Sequence, residues 1–231
     1  MTNLIVAAVV FLLLHLVVSG TRVRDGLTSA IGEGPYLGLF SLASLAGLIW
    51  LGIAFGVARG GPGDSTYWAA NTTTRVIELF IQLAAFLIAV PGIMTRNPTS
   101  VGQARSAEDA DVVTGMLRIS RHPFLWGAAI WAAGHLLVNG DTASLVFFGT
   151  FVVLTLAGTA SIDAKRQRAL GPAWNEFANK TSSVPFAAIL SGRQKLNIGE
   201  IGILRIGAAV VFYVVMIGAH SHIFGASALP S

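Results

Sequence analysis

At 231 residues, with 54% apolar and 11% charged side chains and a mean hydropathy of +0.70, the chain is far more apolar than a soluble domain, where roughly a quarter of residues are charged. The 15 Lys+Arg outnumber the 11 Asp+Glu, but the cations fall in loops between apolar runs and form no stripe interleaved with aromatics, which argues against a nucleic-acid partner. No cysteine is present, which excludes disulfides, thiolate zinc sites, iron–sulfur clusters and covalently attached c-type haem.

Taken in chain order, the first apolar stretch, Asn3–Gly20, carries no acidic or basic residue. It lacks a basic leader and a small-x-small cleavage site, so it reads as a retained first helix. Tyr36–Ala58, Val76–Met94, Pro123–Val138, Thr142–Ile162 and Ile206–Phe224 follow as further candidate spans, judged against the ~20 residues that cross ~30 Å of hydrocarbon. Pro123–Val138 is the shortest, and Glu78 sits near the start of the third. Asn139-Gly140-Asp141 between the fourth and fifth is a turn-forming tripeptide that dictates an antiparallel hairpin. Val184–Leu190 is too short to span and reads as an interfacial or re-entrant segment. No polar linker divides the chain, so the expected fold is all-α, a polytopic bundle of six transmembrane helices forming one domain over residues 1–231.

Thirteen of the 15 cations (Arg22, Arg24, Arg96, Arg105, Arg118, Arg121, Lys165, Arg166, Arg168, Lys180, Arg193, Lys195 and Arg205) fall on one side of a six-span layout, with Arg59 and Arg75 on the other. Positive loops stay inside, which predicts loops 21–35, 95–122 and 163–205 in the cytoplasm and both termini on the outer side. For a bacterial cell this means a multi-pass protein of the inner membrane with periplasmic termini.

Ionisable side chains within spans are functional candidates by default. His15 lies near the cytoplasmic end of the first span, with Ser19 one turn on and Arg22 beyond it. His122 lies at the mouth of the fourth span, before Pro123, which suits a first helical turn. Two neutral imidazoles at similar depth, with Arg22, Arg118 and Arg121 for carboxylates, would suit a haem b iron and its propionates. The alternatives are histidines that only hydrogen-bond neighbouring helices, and arginines that only set topology and meet lipid phosphates. His135, thirteen residues after His122 and ~20 Å along a helix, falls near the outer end with His220 and His222. His220 and His222, two apart on a helix, cannot both face it. Trp126 and Trp131 read as packing or interface anchors, and Glu78 and Gln82 as a polar stripe lining the same interior as His15.

His-Leu-Val-Val-Ser-Gly (15–20) with Arg22, and Ser-Arg-His-Pro-Phe-Leu-Trp-Gly (120–127) with His135, resemble the NnrU family. So do Ile162-Asp163-Ala164-Lys165-Arg166, Leu170-Gly171-Pro172-Ala173-Trp174 and Val184-Pro185-Phe186, which extends the likeness over nearly the whole chain. The family is linked to nitrite and nitric oxide reduction, and its plant and cyanobacterial relatives include a haem b enzyme that isomerises a central cis double bond of zeta-carotene. The resemblance implies haem b ligated by His15 and His122, with Ser19, Arg22, Arg118, Arg121, Trp126 and His135 around the cofactor, and an apolar polyene as substrate. A histidine that the plant enzyme carries between the two ligand positions has no counterpart, because residues 16 to 121 contain no His. A haem protein of nitrogen-oxide metabolism or electron transfer is the competing implication. Arg121-His122-Pro123, Gly127, Asp163, Leu170-Gly171, Trp174, Phe177 and Val184-Pro185 are also similar to the S-adenosylmethionine site of isoprenylcysteine carboxyl methyltransferases. There Ile162-Asp163 stands where Glu-Glu is usual, which implies a shared fold with a repurposed pocket.

Overall fold

The computed structural model describes residues 1–230. Helix α1 (Thr2–Leu13) runs on as a π-helical stretch, Leu14–Val18, and a sharp bend leads to α2 (Arg22–Ile31) and α3 (Glu33–Ala58). Strand β1 (Thr66–Ala69) precedes α4 (Thr72–Met94), which is followed by the short α5 (Met116–Ile119) and by α6 (Pro123–Val138). Strand β2 (Asn139–Asp141) joins α6 to α7 (Thr142–Leu170), and α8 (Pro172–Lys180), α9 (Ala187–Leu190), α10 (Ile198–Ile201) and α11 (Ile203–Phe224) complete the chain.

Local chemistry sets the boundaries. Thr21 caps α2 by accepting from the Val23 amide, and Asn71 and Thr74 form a reciprocal capping box on α4. Asp141 caps α7 through the Ser144 amide, and proline opens both α6 and α8, where its missing N–H costs nothing.

The molecule is a multi-pass helical membrane protein. Helices α3, α4, α7 and α11 are long and apolar enough to cross a bilayer, and α1 with α2 would count as a fifth crossing, bent by 75°. The expectation of six spans is reached only this far. Helix α6 has 16 residues, about 24 Å of rise, which is short of the ~30 Å hydrocarbon layer. Val184–Leu190 becomes a single turn, α9, docked on α5 through the Phe186 amide and the Ile119 carbonyl at 2.8 Å.

The helices pack in the order α3, α1, α7, α6, α4, α11. Leu4, Ala7, Ala8 and Phe11 of α1 close against Leu51, Ala54 and Ala58 of α3 and Ala143 of α7, and the small residues allow close backbone approach. The apolar side chains left exposed, such as Leu39, Leu42, Ile53 and Val57 on α3 and Val211, Val214 and Val215 on α11, are the surface a bilayer would cover.

The Asn139–Asp141 segment does connect two antiparallel helices, but it is not a free turn. It pairs antiparallel with β1, Trp68 opposite Gly140, and the Trp68 ring occupies the space a side chain at 140 would need. This β pairing joins positions about 70 residues apart, which helical periodicity does not reveal.

At the α4–α6 interface, a Cβ on Gly127 would lie 2.6 Å from Ala89 Cβ and 2.8 Å from the Ala85 carbonyl oxygen. Gly127→Val is therefore expected to destabilise the protein by about 1–3 kcal/mol through overpacking. Thermal unfolding in detergent measures this, and an unchanged midpoint would show that the helices do not meet here.

Candidate functional site

The three basic loops gather at one end of the bundle, where residues 118–122 form the centre of a network. Asp163 on α7 accepts from Arg121 Nε at 3.0 Å, from the Arg121 terminal nitrogen, and from His122 Nε2 at 2.7 Å. The Arg121 carbonyl is held by Asn97 Nδ2 and Thr99 Oγ1, both at 3.0 Å, and its amide donates to the Ser182 carbonyl. Ser120 Oγ and Trp126 Nε1 each donate to the Ser183 carbonyl at 2.7 Å. A carboxylate already paired with a guanidinium is an acceptor, so His122 carries its proton on Nε2. Its Nδ1 is then a lone-pair acceptor, buried with no partner among the described residues.

Several residues expected at a cofactor have protein partners in this region. His122 is enclosed, with 0% of its side chain exposed. Arg121 is committed to Asp163, and Arg118 forms a two-pronged pair with Glu200, 2.6 and 2.9 Å, with Gln194 completing its set at 2.7 Å. Trp126 anchors the 182–186 loop. Arg22 is exposed at the start of α2, and Ser19 is the residue closing the π-helical stretch. Asp163 is the group that sequence spacing missed as a structural partner, being 41 residues from His122.

Arg118 and the Gly115 amide hold the Glu200 carboxyl down to about 2, and the same contact raises the Arg118 guanidinium. A carboxyl depressed in the fold contributes stability that is present above its ordinary value near 4.5 and lost as pH falls toward 2. The melting temperature is expected to fall across that window, and Glu200→Gln to flatten the fall. An equal slope in the variant would remove Glu200 as its source.

His15 sits in the π-helical stretch. Its Nδ1 lies 2.9 Å from the Phe11 carbonyl, which can only accept, so Nδ1 bears the proton and Nε2 keeps a free lone pair. Its ring contacts Phe11 at 4.4 Å and Phe40 at 5.4 Å, and Phe11, Phe151 and Trp131 continue as a row of rings through α1, α7 and α6. His15 and His122 lie at the same end but are not joined: α1 packs on α3 and α7, and α7 stands between α1 and α6.

His135 belongs to a second polar group toward the opposite end. Its Nδ1 lies between the Trp131 carbonyl and Gln82 Nε2, both at 2.9 Å, with Glu78 at 4.0 Å and the His220 ring stacked at 6.5 Å. Glu78 and Gln82 thus serve His135 and not His15. Of the two histidines on α11, His220 alone is stacked on His135, and it also touches Phe224, as the two-residue spacing requires. No cluster of three or more His, Cys, Asp or Glu able to hold a metal ion occurs among the described residues.

The sequence from residue 3 to 228 matches the NnrU protein family. The chain belongs to the NnrU family. Two relatives bear the name 15-cis-zeta-carotene isomerase, chloroplastic. The protein from Zea mays is 28% identical over 196 residues, covering 84% of this chain and 52% of the relative. The protein from Arabidopsis thaliana is 34% identical over 83 residues, 36% of this chain and 23% of the relative. The chain thus spans about half the length of the maize relative or less of the other. No solved structure matches the family member described here.

Proposed function

We propose that this NnrU protein acts on an apolar polyene within the membrane, as a cis–trans isomerase of the kind its named relatives are. The observation that carries the reading is His15, an imidazole with a free Nε2 among aromatic rings in a bundle otherwise poor in ionisable groups. Family membership and the relatives' names support the substrate class.

For haem b the donor chemistry fits best at His15, whose free Nε2 lies among aromatic rings; His122, held by Asp163 through Nε2, keeps a lone pair on Nδ1, but that atom is wholly buried. His135 keeps Nε2 clear of protein hydrogen bonds among the described residues, but lies near the opposite end. His15 is therefore the residue proposed to hold the iron, as a single protein ligand. Bound there, haem would supply a Lewis-acidic or one-electron centre able to lower a double-bond rotation barrier. The chain's own work is separate. The Phe11 carbonyl fixes the His15 tautomer and ring, and Phe11, Phe40, Phe151 and Trp131 offer an apolar lining that excludes water. Asp163 is engaged by Arg121 and His122, which weighs further against a ribose-binding role for it and so against methyl transfer.

The proposal includes six crossings, the short α6 being matched by local thinning of the bilayer. It places the basic end in the cytoplasm and both termini in the periplasm of a bacterial inner membrane. Expression in a host that accumulates 15-cis-zeta-carotene tests it: the 15-cis isomer should be depleted, and an unchanged isomer profile overturns the activity.

A further inference from the structure

The basic end holds a group of donors that neither the Asp163 network nor His15 uses. Helix α2 leaves α1 at 75° and carries Val23, Leu27 and Ile31 at i, i+4 and i+8, all exposed. Such a stripe on a helix turned across the bundle axis is the face of an interfacial helix lying at headgroup depth. Its next residue around, Arg24, turns inward, pairs with Glu33 at 2.9 Å and stacks over the Tyr36 ring at 5.5 Å.

Helix α7 meets this bend. A Cβ on Gly20 would collide with Ser161 Oγ, so α7 touches the chain immediately before α2, and Lys165 lies one turn beyond Ser161. Lys165 is within electrostatic reach of Arg24, Arg166 and Arg168, with Asp25 alone opposing them. Arg166 feels the charges of Arg24 and Glu33, and one of its terminal nitrogens donates to the Ser100 carbonyl at 2.8 Å, leaving Nε over. Among the described residues Lys165 has no hydrogen-bond or ion-pair partner, and two buried donors nearby also lack one: Arg166 Nε and the hydroxyl of Tyr36, a residue only 4% exposed. Burying an unsatisfied donor costs about 1–3 kcal/mol. Lys165 and Arg166 are neighbours on α7, Tyr36 lies under Arg24 at the start of α3, and Arg24 acts electrostatically on both α7 cations. Three donors with hydrogen-bonding capacity to spare, each complementary to an oxyanion, thus belong to the elements that meet at this bend.

We propose that this junction binds the phosphate of an anionic phospholipid, with Lys165, Arg166 and Tyr36 as donors and the apolar face of α2 lying among the acyl chains. The choice of a lipid over a free anion rests on that stripe, which places the donors beside the headgroup layer and not in open water. The site is independent of the isomerase reading.

Thermal unfolding of the full chain in neutral detergent, with phosphatidylglycerol, phosphatidylcholine or inorganic phosphate added, tests this. Phosphatidylglycerol should raise the midpoint by several degrees, as for any ligand that binds only the folded state. Phosphatidylcholine and inorganic phosphate should not. Lys165→Gln with Arg166→Gln should lose most of the shift, whereas Arg96→Gln, a cation already paired with Asp109 elsewhere at the basic end, should keep it. Tyr36→Phe removes one hydroxyl with little change of shape and should weaken phosphatidylglycerol binding several-fold, which keeps the test open if the double variant does not fold. Equal shifts with both lipids, or a full shift in both the double variant and Tyr36→Phe, would overturn the site. An equal shift with inorganic phosphate would overturn its assignment to lipid.

Discussion

Asp163→Ala is expected to be the most destabilising single substitution at the basic end, at about 3 kcal/mol, because removing one partner of a mostly buried pair leaves the other charge uncompensated. The Arg121 side chain is 14% exposed and that of His122 is fully enclosed, so neither can turn to water for a replacement. The loss would spread, since the same short segment holds the 95–99 and 182–186 loops through the Arg121 backbone and Ser120. Asp163→Asn keeps an acceptor for His122 Nε2 and should cost less. Melting temperature followed by tryptophan fluorescence gives the order: wild type, then Asn, then Ala. Equal midpoints for all three would mean that the network does not hold the loops.

The second large effect concerns His15. His15→Ala is expected to abolish haem content, measured as pyridine haemochrome per mole of folded protein, while leaving the melting temperature near that of haem-free wild type, since bound haem itself raises the midpoint. Among the described residues its only side-chain hydrogen bond is to the carbonyl of its own helix four residues back, so its loss strands no distant partner. His122→Ala should show the reverse, a lower melting temperature with haem retained in the folded fraction. Wild-type protein purified without haem would remove the cofactor from the account, and haem retained in His15→Ala would move the ligand elsewhere.

These contrasts show what the sequence could and could not reveal. Apolar length and the distribution of cations located the helices closely: the expected Pro123–Val138 segment is α6, and Tyr36–Ala58 and Val76–Met94 lie within α3 and α4 with a few residues added at each start. Those additions follow from caps such as Asn71, which sit outside the apolar run. The run Thr142–Ile162 ends at the first charge, yet α7 continues to Leu170, because a helix emerging from a bilayer can carry Asp163, Lys165 and Arg166 in its last turns. That extension brings Asp163 to His122. The sequence likeness drew attention to His122, but an imidazole held by a carboxylate 41 residues away looks the same in sequence as one awaiting a metal. His15 differed for a local reason, the carbonyl four residues back, which any helix supplies. Helix α2 was missed because its apolar stripe is too short and too charged to read as a span.

The most direct test of the central claim is conversion by the purified protein itself. Reconstituted in lipid nanodiscs with 15-cis-zeta-carotene, with and without a chemical reductant, the wild-type protein should deplete the 15-cis isomer faster than empty nanodiscs in at least one redox state, as resolved by chromatography. His15→Ala, folded to the same extent, should match empty nanodiscs. Wild-type protein that leaves the isomer ratio at the empty-nanodisc value in both redox states would contradict the account.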